Sequence, residues 1–445
     1  MNRETAAPDV EELPGSRARQ RVDYHASVAA ETTYVYDFVW DVTEPATGPF
    51  CTDADGNVLL DFTGQVGAAP LGYNHPDLRE RLAAFDLPDP GKIAGQDFYM
   101  TAGDPGDPDV PGPAELMDLL TEVTAHYGMD TVFLSNSGAE AVENALKLCY
   151  DATGGEYAIT FDGAFHGRTL GALSLNRSKA KYRRGFPEIS GVHDVPYCRD
   201  SGCTAATCEC GFFAGGTSRL RQMLDPETGH VDPDAVAYLV LEPVQGEGGY
   251  HVPSDAFAAD LAAVCDRHDL LVVADEIQSG MGRTGEWWGV DHLPVEPDVV
   301  CAAKAARVGA TVAPRELFPD ERGRISSTWG AGDIVAAAQG ALTIEVIRDR
   351  NLLENATERG RHAMEALADA APPNVVDRRG RGLMLAVEFD TEDRRDAVQA
   401  QALQRGLLTL GCGQKSLRLL PPLDVRPREI DMGVELLTDA AQAAA

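Results

Sequence analysis

Three short apolar runs between residues 237 and 304 constrain the fold of this chain more than any other feature. The runs are AYLVLE, LLVVADE and PDVVCAAK, and longer segments separate them. Short buried runs that alternate with helix-length segments are typical of parallel strands covered on both faces. In such a sheet, ligands gather along the edge formed by the carboxyl ends of the strands.

Polar residues follow each of these runs, and we expect them to meet at that edge. They are Glu242, then Asp275 with Gln278, and then Lys304. A lysine nucleophile near a buried aspartate is the arrangement expected for pyridoxal phosphate, because the lysine forms a Schiff base and the aspartate pairs with the pyridinium nitrogen. The pattern therefore predicts an α/β fold with a cofactor site at the carboxyl edge of the sheet.

The chain is strongly acidic, with 70 aspartates and glutamates against 38 lysines and arginines and a net charge of −32. This charge opposes binding to nucleic acid and to anionic membranes. The acidic residues are spread along the chain, and such a surface keeps a protein hydrated where salt screens charge repulsion. We expect a salt-adapted (halophilic) protein; an ordinary acidic enzyme is the alternative.

Targeting signals and membrane spans are not evident. No apolar run approaches the length of a membrane span, and the N-terminal MNRETAAPDVEELPG lacks the apolar region of a secretory signal. The nine cysteines are scattered and are expected to be reduced thiols. Together these features predict a cytoplasmic protein.

Two turns between an apolar run and a following segment could bind a ligand. Ser135 to Gly138 precede a segment with helical spacing, and free amides at a helix N-terminus favour an anion. This signal alone is weak, since many helices begin with Ser-Gly. The second turn holds Phe165, His166 and Arg168. Taken alone, Phe165 is expected in the core, Arg168 in a surface ion pair, and His166 in a structural role.

Four cysteines lie within PYCRDSGCTAATCECGFF, at Cys198, Cys203, Cys208 and Cys210. Four thiolates could complete a tetrahedral metal site. The spacing C-x4-C-x4-C-x-C is not the paired C-x2-C signature of zinc sites. We therefore predict reduced thiols in an insertion without metal, and keep a metal ion or an iron–sulfur cluster as the alternative.

The last third of the chain alternates helix and strand on a smaller scale. The stretch RVGATVAPRELFPDERGRISSTWGAGD after Lys304 has the composition of loops near a ligand. RRGRGLMLAVEFD is predicted as a turn that leads into a strand. We predict a large cofactor-binding domain over residues 61–334 and a small domain over residues 335–445, which the segment 1–60 joins.

Eight motifs together carry a resemblance to a known family. They are SNSGAEAVENALK (135–147), AFHGRT (164–169), EPVQGEGG (242–249), ADEIQSGMGRTG (274–285), Lys304, SSTWG (326–330), RGRGLML (379–385) and RLLPPL (418–423). The chain resembles the class III (ω-) aminotransferases, which are fold-type I pyridoxal-phosphate enzymes. The resemblance implies a large domain with a mostly parallel sheet and a smaller α/β domain built from both termini.

The resemblance also implies cofactor residues. Lys304 would hold the cofactor and move the proton, and Asp275 would keep the pyridine nitrogen protonated. The other residues implied to bind pyridoxal phosphate are Ser137, Gly138, Ala139, Phe165, His166, Glu242, Gln278 and Thr328. Thr328 would come from the neighbouring subunit, which implies a homodimer with shared active sites, or a tetramer of two dimers.

Three further residues are implied to bind substrate. Arg379 is similar to the arginine that holds the α-carboxylate of 2-oxoglutarate, and Glu247 to the glutamate that pairs with it when an ω-amino donor is bound. Arg168 matches the arginine for the distal carboxylate of the donor. A guanidinium that a carboxylate can mask lets one pocket accept two differently shaped substrates.

The implied activity is a ping-pong transfer of an ω-amino group to 2-oxoglutarate. The stretch AAKAARVGATVA is similar to the lysine 6-aminotransferase branch, whereas SNSGAEAVENALK and FHGRTLGALS are similar to the 4-aminobutyrate and acetylornithine/ornithine branches. Lysine, 4-aminobutyrate and ornithine are therefore the candidate donors. An amino-acid racemase of the same fold is the alternative function. A racemase has no use for a paired glutamate and arginine, so Glu247 with Arg379 favours transamination.

Overall fold

The computed structural model describes residues 1–32, 38–86, 95, 97, 99–326 and 334–445. These residues form two compact units. The small unit comprises Met1–Arg79 and Glu354–Ala445, and the large unit comprises Glu80–Leu353. The domain boundaries near residues 60 and 334 stay predictions.

Strands and helices are numbered here in chain order over the described residues. The strands are β1 Phe50–Thr52, β2 Val58–Asp61, β3 Gly103–Asp104, β4 Asp107–Pro108, β5 Thr131–Ser135, β6 Tyr157–Phe161, β7 Val192–Val195, β8 Phe213–Ala214, β9 Thr217–Ser218, β10 Val236–Leu241, β11 Val272–Asp275, β12 Val299–Ala302, β13 Gly309–Ala313, β14 Val375–Arg381, β15 Met384–Phe389, β16 Leu407–Leu408, β17 Leu410–Cys412 and β18 Ser416–Leu419. The α-helices are α1 Ser16–Val28, α2 Pro76–Ala83, α3 Pro113–Thr124, α4 Gly138–Thr153, α5 Leu170–Leu175, α6 Ala180–Arg183, α7 Arg219–Met223, α8 Asp255–His268, α9 Ile334–Asp349, α10 Leu352–Ala370, α11 Glu392–Gln404 and α12 Pro427–Ala443.

A seven-stranded sheet forms the centre of the large unit, in the order β5-β13-β12-β11-β10-β6-β7. The pairs from β12 through β7 are all parallel, whereas β13 is antiparallel to both β12 and β5. Strand β5 therefore runs in the same direction as β12. This mixed α/β architecture with a mostly parallel sheet confirms the predicted fold class.

Both faces of this sheet are buried, which explains why β10 is apolar at every position. In β10, Leu239 and Leu241 pack into one apolar cluster with helices α3, α8 and α9. Tyr238 and Val240 point the other way, into a cluster with α4 and α5. Alternate side chains of a strand reach opposite faces, so a doubly covered strand has no polar face.

Strand β13 corrects the prediction that the residues after Lys304 form only loops. Gly309–Ala313 pairs along its whole length with β5, and residues 310–312 pair with β12. Glycine is typical of loops, but here the packing requires it. A Cβ at Gly309 would lie 2.3 Å from both Ser135 Oγ and the Ser137 carbonyl oxygen. The strand passes too close to the turn before α4 to carry a side chain there.

The small unit contains a three-stranded sheet, β1-β2-β16, and a four-stranded sheet, β14-β15-β18-β17. The predicted turn into a strand is confirmed at Gly382 and Leu383, which lead into β15, but the prediction missed β14, which continues to Arg381 and pairs with β15. Only Gly382 and Leu383 lie between the two strands. The three arginines masked the strand signal, since they lack the apolar alternation by which half-buried strands are found.

None of the helices in the described part of the chain is both long enough and apolar enough to cross a membrane.

Replacing Gly309 by alanine tests the close approach of β13. The new Cβ would collide with a backbone carbonyl that cannot rotate away, so we expect a loss of about 1–3 kcal/mol in stability. Gly202→Ala is the matched control, because its Cβ would meet only Asp200 Oδ1, at 3.4 Å. Thermal unfolding of both variants measures the effect. Equal unfolding midpoints for Gly309→Ala and the native protein would contradict this packing.

Candidate active site

The carboxyl ends of five strands lie along one edge of the large sheet. Glu242 directly follows β10, Asp275 ends β11, and Lys304 comes two residues after β12. Because these three strands are adjacent and parallel, the three side chains start from neighbouring positions on this edge. The turns after β5 and β6 lie on the same edge and hold Ser137 and Phe165.

Asp275 is held by a buried histidine. Nδ1 of His166 lies 2.7 Å from Asp275 Oδ2, and both side chains are almost fully buried. Asn176 fixes the backbone on either side of the histidine through two hydrogen bonds. Its Oδ1 accepts from the His166 amide at 2.6 Å, and its Nδ2 donates to the Gly167 carbonyl at 2.7 Å. The carboxylate therefore has a fixed orientation at the end of β11.

The charge of this pair follows from two opposing effects. Burial lowers the pKa of His166, but the hydrogen bond and the charge of Asp275 outweigh it and raise the pKa above its ordinary value. A buried imidazolium beside a carboxylate is thereby favoured. Nε2 of His166 is buried and has no hydrogen-bond partner among the described residues.

Glu242 joins two turns of the site. Its Oε1 accepts the Phe165 amide at 2.9 Å, and its Oε2 accepts the Gly246 amide at 2.8 Å. Burial raises the pKa of Glu242 to about 7, and the charge of Asp275 adds to this while His166 and the two amides oppose it. The side chain thus fixes the backbone under the Phe165 ring.

The turn between β5 and α4 forms a helix N-terminus against the sheet edge. Ser137 is the N-cap of this 16-residue helix, and its Oγ accepts the Glu140 amide. A Cβ at Gly138 would lie 2.8 Å from Ile277 Cδ1, and one at Gly167 would lie 2.8 Å from Ala139 Cβ. The turns after β5, β6 and β11 are therefore in direct contact.

Gln278 lies in the turn that follows Asp275. A Cβ at Gly246 would lie 2.5 Å from Gln278 Oε1 and 3.3 Å from Glu242 Oε2, so both side chains border the backbone of Gly246. Lys304 is partly buried in the connection between β12 and β13.

Arg168, Phe165 and Glu247 belong to one polar–aromatic cluster. The Arg168 guanidinium carbon lies 5.5 Å from the Phe165 ring centroid and 5.4 Å from that of Tyr182. Glu247 Oε1 accepts from Tyr182 Oη at 3.0 Å and from Lys179 Nζ at 2.6 Å. The cluster places two cations and a carboxylate beside the turn that carries Phe165.

Arg379 belongs to the small unit, in β14, where it contacts Asp377, Glu388 and Ser416 at 2.6–2.8 Å. Thr328 falls outside the described residues. The four cysteines from Cys198 to Cys210 come together in a loop of the large unit, with their sulfur atoms all within 4.8 Å of one another.

Comparison with known proteins identifies the family. The family model for aminotransferase class-III matches residues 35–441. This chain belongs to the class III aminotransferases.

Similar proteins agree with the family assignment. An acetylornithine aminotransferase from Methanopyrus kandleri is 34% identical over 406 residues, which cover 90% of this chain and 94% of that protein. A putrescine aminotransferase from Pectobacterium atrosepticum is 33% identical, with coverage of 87% and 78%. Among solved structures, a lysine aminotransferase from M. tuberculosis in the internal aldimine form superposes with a TM-score of 0.84 at 29% identity, covering 97% of this chain and 100% of that one.

Sequence reasoning missed Lys179 and Tyr182 of this aminotransferase. Both lie in NRSKAKYRRGF, a markedly basic stretch in an otherwise acidic chain. Its five cations are Arg177, Lys179, Lys181, Arg183 and Arg184. That local reversal of charge is the signal that could have found them.

The pH dependence of stability tests the His166–Asp275 pair. Because the folded pKa of His166 is raised, its stabilisation is complete below the unfolded value of about 6.5 and is lost as the pH rises through the folded pKa. We expect the thermal midpoint of the aminotransferase, freed of small molecules, to fall over this interval. His166→Gln should lack that component, whereas His25→Gln, at an exposed position, should keep it. Identical profiles for native protein and His166→Gln would contradict the pairing.

Proposed function

We propose that this class III aminotransferase uses pyridoxal phosphate to move the terminal amino group of an amino acid or amine onto 2-oxoglutarate, by a ping-pong mechanism. The observation that carries the proposal is the placement of Lys304 and Asp275 at the carboxyl ends of adjacent parallel strands. His166 holds the Asp275 carboxyl group in place on this edge, where it would pair with the pyridine nitrogen.

The residues present fit this cofactor. A buried carboxylate suits the pyridine nitrogen, an amine on the next strand suits the aldehyde, and the N-terminus of a long helix suits a phosphate. These three groups lie on one sheet edge, and the contact at Gly138 brings the turn after β11 against the helix N-terminus. Ser137, Gly138 and Ala139 would hold the phosphate through backbone amides and the helix dipole, with Thr328 of a second subunit.

When bound, pyridoxal phosphate supplies a carbonyl that condenses with amines and a ring that accepts electrons from the substrate carbon. Asp275 would hold the proton on the ring nitrogen, with His166 as its partner. Lys304 Nζ would take the proton from the substrate carbon that bears the amine and deliver it to the former aldehyde carbon of the cofactor. Phe165 would pack on the ring, Gln278 would orient its hydroxyl, and Glu242 would keep Phe165 in place.

The donor is proposed to carry its reactive amine at the end of an aliphatic chain. The names of the similar aminotransferases refer to acetylornithine, putrescine and lysine, which all have such an amine. We therefore propose lysine, ornithine or 4-aminobutyrate as the donor class.

Three residues are proposed to distinguish the two substrates. Arg379 would hold the α-carboxylate of 2-oxoglutarate, and Glu247 would cover this arginine while the donor is bound. Lys179 and Tyr182 already orient the Glu247 carboxylate. Arg168, which rests on two aromatic faces, would bind a distal carboxylate.

We further propose a cytoplasmic, salt-adapted homodimer with shared active sites. None of the nine cysteines, all of which are described, forms a disulfide, and this supports a reducing compartment. The net charge of −32 supports adaptation to salt, which screens the repulsion between acidic groups.

Activity that is equal in dilute buffer and in molar potassium chloride would contradict the adaptation, and a monomeric mass in solution would contradict the dimer.

A half-reaction panel tests the proposed function. Cofactor-loaded protein in molar salt is mixed with lysine, ornithine, 4-aminobutyrate, acetylornithine or alanine, each without acceptor. We expect one terminal-amine donor to bleach the cofactor absorbance and 2-oxoglutarate to restore it. No bleaching by any donor, with formation of the D-enantiomer from an L-amino acid, would show a racemase instead.

Matched variants assign the residues within this panel. Lys304→Ala should abolish bleaching, whereas Lys147→Ala, at an exposed position on α4, should bleach like the native enzyme. Arg379→Gln should weaken the 2-oxoglutarate step by about 10- to 150-fold, from the 1.5–3 kcal/mol of a charged hydrogen bond, while the donor step changes less. Full activity of Lys304→Ala would remove the catalytic assignment.

A further inference from the structure

The loop between β7 and β8 brings four cysteine side chains to one point. Cys198, Cys203, Cys208 and Cys210 each offer a sulfur, and these sulfurs all lie within 4.8 Å of one another. The first two are buried and the last two are partly exposed. They are four of nine cysteines in a chain of 445 residues, gathered within thirteen positions.

We propose that these four cysteines bind a single divalent metal ion of the zinc type in a tetrahedral, closed site. Zinc–sulfur bonds of about 2.3 Å in a tetrahedron place the sulfurs about 3.8 Å apart. The separations in this loop are compatible with that arrangement, and Cys208 and Cys210 already approach to 3.1 Å. Binding would release the thiol protons to solvent.

At least two of the four sulfurs accept hydrogen bonds from the protein, as thiolate ligands do. The Phe213 amide donates to Cys208 Sγ at 3.4 Å, and Ser254 Oγ donates to Cys198 Sγ at 3.4 Å. Backbone amides of Gly211 and Phe212 also interact with Cys208 and Cys210. Such donors spread the negative charge of a four-thiolate site and orient its ligands. The partly exposed pair leaves a path by which the ion can enter.

The loop itself explains why a metal ion would be useful here. Residues 196–212 are all described and contain neither helix nor strand. Both ends of the loop are nevertheless anchored in the core. Tyr197 Oη donates to the Glu242 and Pro243 carbonyls at 3.3 and 3.2 Å, and the rings of Phe212 and Phe257 lie 4.5 Å apart. A metal ion would lock the irregular segment between these anchors, so its role is structural.

Two other arrangements fit the loop less well. An iron–sulfur cluster places several iron and sulfide atoms between its cysteines, which separates their sulfurs more widely than a single ion does. Disulfides require sulfurs about 2.05 Å apart, whereas the Cys208 and Cys210 sulfurs lie 3.1 Å apart. A single ion uses all four sulfurs at once.

Metal analysis of the holoenzyme tests the proposal. The native enzyme, the double variant Cys208→Ser/Cys210→Ser and the control Cys265→Ala are purified with zinc and without chelator, then gel-filtered. Cys265 is a buried cysteine of the same unit outside the cluster. We expect about one zinc per chain in the native enzyme and the control, and at least a fivefold loss in the double variant.

A second measurement keeps the test decisive if the double variant does not fold. Cobalt exchanged into the native enzyme should produce the intense visible bands of tetrahedral thiolate coordination, and zinc should displace them. Native enzyme without bound zinc and without these bands would overturn the proposal. So would iron with inorganic sulfide, a mass that reveals disulfides, or full zinc content in a folded double variant.

Discussion

The buried hydrogen bond between Asp275 and His166 is the interaction on which the arrangement of the site depends. A carboxylate only 5% exposed at the end of a central strand is costly unless it is paired. His166 pairs it, and Asn176 fixes the turn that carries the histidine. One ionic contact thereby ties the loop after β6 to the end of β11, and Glu242 ties the same loop to the end of β10.

The same network shows how an acidic protein can hold cations beside its candidate active site. A net charge of −32 repels an anionic ligand at long range. The cations that would attract such a ligand must therefore be held close to the site. Arg168 rests on Phe165 and Tyr182, and Lys179 is bound by Glu247. These contacts limit the freedom of long side chains before a substrate arrives, which reduces the entropy lost on binding.

Much of the fold follows from local patterns, and the exceptions have physical causes. The strands β10, β11 and β12 are recognisable because both of their faces are buried. Strand β13 is not recognisable from the sequence because it begins with Gly309. The close approach to Ser137 that requires a glycine there arises only in the folded sheet. The arginines of β14 conceal its pairing with β15.

Lys179 and Tyr182 escaped notice because their partner, Glu247, lies more than sixty residues away. The spacing of the four cysteines likewise argued against a metal site, whereas the fold gathers their sulfurs.

In the proposed function, the edge formed by β10, β11 and β12 presents Lys304 to the cofactor. Reduction of the cofactor-loaded enzyme with borohydride, followed by proteolysis and mass spectrometry, tests this most directly, because it fixes the cofactor to the amine that carries it. We predict a single modified peptide, the one that contains Lys304. Modification of a different lysine, or no modification of the loaded enzyme, would contradict it.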